Sequence, residues 1–354
     1  MCEANADFTT VAGTRERVEW MMGHWEGMPL ITGRTLPEHG IHLEWPDLAE
    51  LGDEYRDPEC GAVAVAWHEP GGGTRAAAVV SSALLLANHG AAPGLVCEPG
   101  HTFAGEQAAP GAASLDEEQL TRARQRVPQL PQREGSRLAL LDTGDEASDI
   151  AVDFTAGQPN TSPSSGDPHG HGSAVAQTVR RVCPHADIRT FRVLGSNNKG
   201  SSLSIYLGLI AALWDGQAVD VVNASLSVEA KTECGTSLGA TFGYLMTLRY
   251  AQKRSDEPPT LVVAAGNRRG GLRSPATVAG ARVVTAIDWD GNPAPYCNKL
   301  DEMPSSVVAH EAPGGVRGDP LGQYANGDEV YGTSFAAGFV SGALLAPRLT
   351  HYVL

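Results

Sequence analysis

From residue 136 onward, short apolar runs alternate with helical patterns, and this alternation restricts the fold more than any other feature of the chain. The runs RLALLD, ADIRTFRVL, AVDVVNASLS, TLVVAAGN and ARVVTAIDWD are typical of buried strands, whereas GSAVAQTVRRV, LSIYLGLIAALWD and LGATFGYLMTLRYAQ have helical periodicity. Strands that alternate with helices form βαβ units, which require parallel strands covered by helices. The sequence therefore predicts an α/β fold over residues 134–354, with a doubly wound, mostly parallel sheet flanked by helices.

Residues 1–133 have a more irregular pattern, and we expect them to form a smaller N-terminal region of unclear fold. The run GAVAVAWH at residues 61–68 predicts a strand. Ser114 and Glu117 form a capping box at the start of SLDEEQLTRARQRV, which predicts a short helix. The segment PQLPQREG resembles a linker and suggests the domain boundary.

The overall charge and the cysteine pattern restrict partners and location. The net charge of −15 repels phosphate backbones and anionic lipid, so we expect neither nucleic acid nor membrane partners. The apolar run at residues 76–87 is too short and too polar to span a bilayer. The six cysteines form no C-x-x-C pair, and the first residues, MCEANADFTT, do not resemble a secretory signal. These features predict a cytoplasmic protein with free thiols, and secretion is the less favoured alternative.

Four polar residues stand at strand ends or helix starts of the predicted sheet: Asp142, His171, Asn267 and Ser334. In doubly wound sheets, active groups gather at the carboxyl ends of the strands. Each residue alone has an ordinary structural explanation, as a turn former, a helix-start residue or an N-cap. Metal binding by His169 and His171 would lack a third ligand nearby, so we expect no metal and no cofactor.

Taken together, the order Asp, His, Asn, Ser resembles the subtilisin-like serine peptidases, or subtilases. The segments that carry the resemblance are LLDTG, HGSAVA, NASLS, VVAAGN, SPATVAGARVVTAIDWDG and YGTSFAAGFVSGALL, and it extends over residues 136–345. The resemblance implies the family's α/β fold and a serine endopeptidase that acts on peptide or protein substrates.

The resemblance also assigns a role to each matched residue. Ser334 would be the nucleophile, His171 the general base and Asp142 the residue that orients the base. Asn267 and the backbone N–H of Ser334 would bind the oxyanion. The matched segments further imply a set of substrate-binding residues, which comprises Ser225, Leu226, Ser227, Ala265 and Gly266.

Residues 1–133 leave two interpretations open. They form either a propeptide that folds the enzyme and blocks its cleft until a cut near PQLPQREG, or a retained module that binds a partner protein or a particular substrate. Both fit a restrained or dedicated processing protease. The alternative function is a pseudopeptidase, which would bind a peptide or a partner protein in the cleft without cutting it.

Several positions depart from the family pattern. Ala174 replaces the second histidine of the His motif, and Gly338 stands where a proline is usual. Ser227 and Val228 stand where the substrate-pairing strand usually continues with glycines, and Tyr331 stands where a small or polar residue is common. These changes affect the expected substrate preference more than the chemistry. The acidic segments DWDGNP and NGDE lack an ordered spacing of calcium ligands, so we expect solvated turns there.

Overall fold

The computed structural model describes residues 8–25, 41–68, 95–105, 112–128, 135–148, 150–161, 166–217, 219–229, 239–252, 258–300 and 307–345. The strands are β1 Phe8–Thr14, β2 His42–Glu44, β3 Gly61–Trp67, β4 Val96–Pro99, β5 Thr102–Gly105, β6 Ala113–Leu115, β7 Arg137–Asp142, β8 Ile150–Asp153, β9 Asp187–Arg192, β10 Lys199–Ser201, β11 Val221–Ala224, β12 Leu226–Val228, β13 Thr260–Ala264, β14 Arg282–Ile287, β15 Val308–Pro313, β16 Gly322–Tyr324 and β17 Glu329–Val330. The helices are α1 Arg15–His24, α2 Glu117–Arg124, α3 His171–Val182, α4 Ser202–Leu213, α5 Ala240–Ala251 and α6 Thr333–Leu344, and two short 3-10 helices span Leu48–Glu50 and Asp53–Arg56.

A seven-stranded sheet forms the centre of the molecule, with the strand order β15-β14-β13-β11-β7-β9-β8. Every neighbouring pair in this sheet is parallel. The strand order reverses direction around β7, as in other doubly wound sheets. The predicted fold class is confirmed, and the predicted strands and helices of residues 137–287 are present in the expected order.

Both faces of the central sheet are covered, which explains why its strands are apolar throughout. In β7, Ala139 and Leu141 contribute to a cluster with residues of α4 and α5. The alternate residues Leu138 and Leu140 contribute to a second cluster with residues of α3 and α6. All four side chains have no exposed surface, as expected for a strand whose successive side chains point to opposite faces.

Helices α3 and α6 pack closely together because α6 carries glycine at two positions facing α3. A Cβ atom on Gly342 would lie 2.7 Å from the carbonyl oxygen of Val179 and 2.9 Å from the Cβ of Val182. Gly338, one helical turn earlier, makes a similar approach to the backbone and side chains of α3. The glycine that departs from the family pattern therefore has a packing function here.

The N-terminal region forms a four-stranded antiparallel sheet with the order β2-β3-β1-β4. The predicted strand at residues 61–68 is confirmed as β3. Val63 and Val65 of β3 face the cluster that contains α4 and α5, and Ala64 faces Val18 and Met21 of α1. This sheet therefore lies between α1 on one side and the helices of the central domain on the other.

Polar contacts reinforce this apolar interface. The Tyr55 hydroxyl donates to the carbonyl oxygen of Ala211 in α4, over 2.8 Å. Burial raises the pKa of Tyr55 far above its ordinary value, so the hydroxyl stays protonated as a donor. A Cβ atom on Gly61 would lie 2.8 Å from the ring of Trp214, which shows how closely β3 approaches the end of α4.

The short helix after residue 116 is present, but its predicted cap is wrong. Asp116 is the N-cap, and its carboxylate accepts from the backbone N–H groups of Glu118 and Gln119 over 2.8 and 3.0 Å. Ser114 instead lies in β6, where it pairs with Gln323. Asp and Ser are similarly good N-caps, and Asp116 is the one adjacent to the first helical residue.

Strand β6 and helix α2 pack on the central domain although they precede the predicted boundary after residue 133. Leu120 and Ala123 of α2 belong to the same buried cluster as Val175 and Val179 of α3. The boundary itself stays a prediction, because the linker residues 129–134 lie outside the described ranges.

Within the described ranges, no helix combines the length and the apolar character that crossing a bilayer requires. The apolar run at residues 76–87 lies outside those ranges.

Candidate active site

The last residue of β7 meets the first residue of α3. The Nδ1 atom of His171 lies 2.7 Å from Oδ1 of Asp142, and neither side chain has exposed surface. The same carboxylate oxygen accepts from the backbone N–H of Thr143 over 2.7 Å. These contacts fix the orientation of the imidazole, and a buried carboxylate at Nδ1 favours the protonated ring when Nε2 takes up a proton.

Asp167, which the sequence analysis did not single out, holds the loop that begins α3. Its carboxylate accepts from the backbone N–H groups of His169 over 3.0 Å, and of Gly170 and Ser173 over 2.8 Å. Burial alone would raise the pKa of Asp167, but these donors hold the pKa below its ordinary value. The N-cap residue itself is Gly170, which has no side chain, so Asp167 supplies the acceptor from three residues earlier. Asp167 thus fixes the position at which His171 enters the helix.

His169 lies next to the pair but does not take part in it. Its ring centroid is 6.3 Å from that of His171, and only 1% of the residue is exposed. Burial lowers the pKa of His169, and the neighbouring His171 lowers it further. A neutral His169 adds no positive charge beside the His171 ring at neutral pH.

Ser334 lies in the first turn of α6, which begins at Thr333. The Ser334 side chain is fully buried, and its hydroxyl donates weakly to the carbonyl oxygen of Ser225 over 3.4 Å. The ring of the next residue, Phe335, is 5.8 Å from the ring of His171. The structure therefore brings the serine-bearing helix beside the histidine, with the positive end of the helix dipole at Ser334.

Asn267 follows β13 and is held by Thr333, a second residue that the sequence analysis did not assign. The Asn267 Oδ1 accepts from both the backbone N–H and the hydroxyl of Thr333, each over 2.9 Å. The Thr333 Oγ1 in turn accepts from the backbone N–H of Gly266 over 3.1 Å. With its carbonyl end anchored, the amide presents its NH2 group in the opposite direction.

The predicted substrate-binding residues lie in two places. Leu226 and Ser227 belong to β12, which pairs antiparallel with β5 in the register Leu226 with Gly105 and Ser227 with Ala104. Ser225 precedes that strand and contacts Ser334.

Ala265 and Gly266 lie directly before Asn267. The side-chain amide of Asn298 donates to the carbonyl oxygen of Ala265 over 2.9 Å. The backbone N–H of Asn298 donates to the carbonyl oxygen of Gly266 over 2.8 Å. Ser225 contacts Ser334, and Ala265 and Gly266 directly precede Asn267, whereas Leu226 and Ser227 pair with β5. The substrate-binding role of these five residues stays a prediction.

Two departures from the family pattern have ordinary packing environments. Ala174 is fully buried in the cluster between α3, α6 and the sheet. The Tyr331 ring lies 5.2 Å from the ring of Tyr296. Neither residue contacts the Asp142–His171 pair through a recorded hydrogen bond among the described residues.

The acidic segment DWDGNP forms a turn, as predicted. The Asp288 carboxylate accepts from the backbone N–H groups of Asp290 and Asn292 over 2.9 and 2.8 Å, and these donors lower its pKa. Over the described part of the chain, no three His, Cys, Asp or Glu side chains are grouped so that they could hold a metal ion.

The chain belongs to the subtilase family, because the family model described as "Subtilase family" matches residues 46–346. Among curated proteins, it is similar to the thermostable alkaline protease of Halalkalibacterium halodurans, with 30% identity over 232 residues that cover 62% of this chain and 58% of that protein. It is also similar to subtilisin Savinase of Lederbergia lenta, with 30% identity over 230 residues that cover 59% of this chain and 74% of the relative. The match thus spans little more than half of the length of the alkaline protease.

A solved structure of a cold adapted subtilisin-like serine proteinase supports the fold. It matches with a TM-score of 0.50 and 21% identity, and covers 63% of this chain and 83% of that chain. The resemblance noted in the sequence is therefore confirmed at the level of the family, whose members are serine-type peptidases.

The predicted cytoplasmic location is wrong. The relatives are alkaline proteases and subtilisins, which points to secretion. The prediction relied on the cysteine pattern and on first residues that do not resemble a secretory signal. A large domain, however, buries enough apolar surface to be stable outside the cell without disulfides. Cysteine spacing therefore does not determine the compartment of this chain.

Proposed function

We propose that the chain is a serine endopeptidase that hydrolyses peptide bonds through Asp142, His171 and Ser334. The observation that carries the proposal is the buried 2.7 Å contact between His171 Nδ1 and Asp142 Oδ1. His171 begins α3, the helix that packs against α6, and α6 carries Ser334 in its first turn. Relatives with 30% identity to this chain are alkaline proteases by name.

In the first step of this mechanism, the Ser334 oxygen attacks the peptide carbonyl carbon and His171 Nε2 takes the hydroxyl proton. Asp142 stabilises the resulting imidazolium without taking up the proton. The imidazolium then protonates the leaving amine, the C–N bond breaks, and an ester to Ser334 remains. Water attacks this acyl-enzyme with His171 again as base, which releases the carboxylate product and restores the serine.

The oxyanion that forms in both steps would be bound by the Asn267 NH2 group and the backbone N–H of Ser334. Thr333 supports this role because it anchors the opposite end of the Asn267 amide through two hydrogen bonds. A donor that is held in place before the reaction needs no reorganisation when charge develops. Loss of one such donor raises the barrier by about 3 kcal/mol in comparable sites.

We further propose that the N-terminal region restrains the enzyme by occupying its cleft. Strand β5 is the central strand of a three-stranded sheet with the order β10-β5-β12. Both of its neighbours belong to the central domain, and β12 is the strand whose sequence resembles the family's substrate-pairing strand. A substrate peptide would bind in the same extended, antiparallel manner, so β5 and substrate would compete for one position.

A buried carboxylate strengthens this restraint. Glu98, at the end of β4, accepts from the Tyr206 hydroxyl over 2.9 Å and from the backbone N–H groups of Gly239 and Thr241. Gly239 is the N-cap residue of α5, so a negative charge there satisfies donors that the helix leaves unpaired. Glu98 is 3% exposed, and its removal would leave these buried donors without this acceptor.

The packing of β6 and α2 favours a cut between Gly105 and Ala112 over a cut in the linker at residues 129–134. Leu115, in β6, and Leu120, in α2, are buried in the cluster of the central domain. A cut in the linker would place β6 and α2 in the released fragment, although both pack on the central domain. An earlier cut releases β1 to β5 and keeps β6 and α2 in place.

Fluorophosphonate labelling and intact mass test these proposals in the parent chain and in a Ser334→Ala variant. We expect the parent to shorten to a species that begins between residues 106 and 112, to label and to cleave peptides, whereas the variant stays at full length and does neither. A fully active species that retains residues 1–105 would contradict the restraint. A folded parent that neither labels nor cleaves would contradict the peptidase and support a peptide-binding pseudopeptidase.

A further inference from the structure

Asn198 lies against the last described residue of β5 and leaves no room there for a side chain. A Cβ atom on Gly105 would lie 2.2 Å from Oδ1 and 2.4 Å from Nδ2 of Asn198. Carbon atoms at such positions essentially never approach other heavy atoms within 3.0 Å. Either Asn198 or the strand would have to move before any larger residue could occupy this position.

The atoms that a Cβ at Gly105 would meet form the end of the Asn198 side chain, so this amide must rotate or the strand must shift. At 2% exposure, Asn198 has little free space in which its side chain could rotate. Asn198 adopts a left-handed conformation with φ of 56°. Its N–H donates to the carbonyl oxygen of Gly195 over 2.9 Å, and its own carbonyl oxygen accepts from the Gly105 N–H over 3.0 Å. The second bond draws the β5 backbone toward the residue whose side chain excludes a Cβ.

The position of Gly105 relative to the nucleophile connects this contact with the reaction. Gly105 pairs with Leu226. The residue before Leu226 is Ser225, whose carbonyl oxygen accepts from the Ser334 hydroxyl. Gly105 therefore pairs with the residue that directly follows Ser225, and Ser225 is in contact with the nucleophile.

Another position of β5 has the opposite requirement. The Phe103 side chain is fully buried, with its ring centroid 5.0 Å from that of His101 and 6.2 Å from that of Tyr206. The Phe103 ring thus packs against Tyr206 of the central domain and His101 of its own segment, whereas a side chain two residues later would have to displace Asn198 or the strand.

We propose that Asn198 is a specificity-determining residue that selects glycine at the substrate position which Gly105 occupies. The preferred substrates are extended peptides with an aromatic residue followed, two positions later, by glycine, as in Phe-Ala-Gly. This inference rests on the proposed function, since it assumes that β5 lies where substrate binds. Glycine is favoured because a residue without a Cβ lets the backbone lie against the Asn198 side chain without displacing it.

Two matched peptides test the selection. One has the sequence of residues 99–110, PGHTFAGEQAAP, and the other has alanine in place of the central glycine. We expect the processed parent enzyme to cleave the glycine peptide with a kcat/KM about tenfold or more above that of the alanine peptide. In Asn198→Gly, which suits the left-handed backbone, we expect the ratio to fall below about threefold through faster cleavage of the alanine peptide.

Asn197→Gly is the matched control, because it removes the same side chain one residue earlier from an exposed position. We expect it to keep the parent ratio. An unchanged ratio in Asn198→Gly, or a parent enzyme without preference for glycine, would overturn the proposal.

A second measurement needs no catalysis and separates this inference from the proposed function. In the full chain carrying Ser334→Ala, we expect Gly105→Ala to increase the rate at which a small amount of added protease cuts and releases the N-terminal region. Adding Asn198→Gly should return that rate to near the parent value, because the added methyl group then has room. If the two substitutions change the release rate independently, so that their fold-changes multiply, the proposed steric role of Asn198 is wrong. If these two substitutions compensate each other but no form cleaves peptide, the steric selection stands and the peptidase proposal falls.

Discussion

Gly338 of α6 lies so close to Thr178 of α3 that a Cβ at position 338 would be 1.9 Å from the threonine Oγ1. The same Cβ would lie 2.9 Å from the carbonyl oxygen of Val175. Because α3 begins at His171 and α6 carries Ser334 in its first turn, the spacing of these helices determines the spacing of the proposed base and nucleophile.

Gly338→Ala should therefore destabilise the protein and reduce its activity. Extra methylenes in a packed interior typically cost about 1–3 kcal/mol, and here the rigid backbone of α3 limits relaxation. Chemical denaturation gives the free energy of unfolding, and peptide cleavage gives kcat. Gly243→Ala in α5 is the control, since its Cβ would be 3.7 Å from Val278 and the helix gains propensity. A Gly338→Ala variant as stable and active as Gly243→Ala would contradict this explanation.

Thr333→Val should lower kcat while changing KM little. The substitution removes the hydroxyl that holds the Asn267 carbonyl and accepts from Gly266, so the proposed oxyanion donor is less well oriented. We expect a loss of about tenfold, compared with about 10²–10³-fold for Asn267→Ala. Steady-state kinetics with one peptide substrate measures both.

The conservative variant Thr333→Ser keeps the hydroxyl and should retain most of the parent kcat. In the Asn267→Ala background, Thr333→Val should add little, because it acts through the amide that is already absent. If the losses in kcat of the two variants multiply in the double variant, Thr333 does not act through the Asn267 amide.

Glu98→Gln should speed the release of the N-terminal region. A neutral amide cannot match the carboxylate as an acceptor for the α5 N-terminus, and its NH2 group would face backbone donors. The time course of intact mass should show processing accelerated by several-fold relative to the parent. Glu59→Gln, on an exposed side chain of the same region, should process at the parent rate. Equal rates for both variants would argue against the restraining role of Glu98.

His310 should make stability sensitive to acid. Burial, together with the nearby Arg282 cation, lowers the pKa of His310 to about 4 from its ordinary 6.5. The unfolded chain therefore binds a proton at this residue at a higher pH than the folded chain does. The stability from keeping this ring neutral is fully present above about pH 6.5, falls as the pH decreases, and is lost by about pH 4.

The loss amounts to about 3 kcal/mol at most, from 1.36 kcal/mol for each unit of pKa shift. In His310→Gln, the free energy of unfolding should vary less between pH 6.5 and 4 than in the parent. His42→Gln, on an exposed histidine of the N-terminal region, should keep the parent slope. Parallel pH profiles for His310→Gln and the parent would contradict the assignment.

The central sheet and its helices could be predicted from sequence because their signals are local. RLALLD is apolar along both faces, and LSIYLGLIAALWD is long enough to show its period, so β7 and α4 were identifiable. The order of Asp142, His171, Asn267 and Ser334 at element ends likewise follows from the chain alone. The contact between Asp142 and His171 required only that the fold be correct.

The position of β5 could not be predicted in this way. Its four residues, TFAG, show no period, and it pairs with β10 and β12, which are far away in sequence. The same applies to Asn198, whose importance depends on a left-handed backbone and on the distant Gly105. Asp167 differs from these, because an aspartate a few residues before a predicted helix is a local signal that the sequence itself contains.

Strand β5 lies in a slot between β10 and β12, and the edge of each of these strands forms hydrogen bonds to it. An empty slot of this kind offers backbone donors and acceptors to any chain that becomes fully extended for a few residues. Strands inside a folded protein already have neighbours, and helices have satisfied their own backbone groups. If substrate takes the place of β5 as proposed, the cleft would select first for extended conformation and only then for sequence. Loosened loops, frayed ends and heat-damaged chains would then bind, whereas intact domains would not.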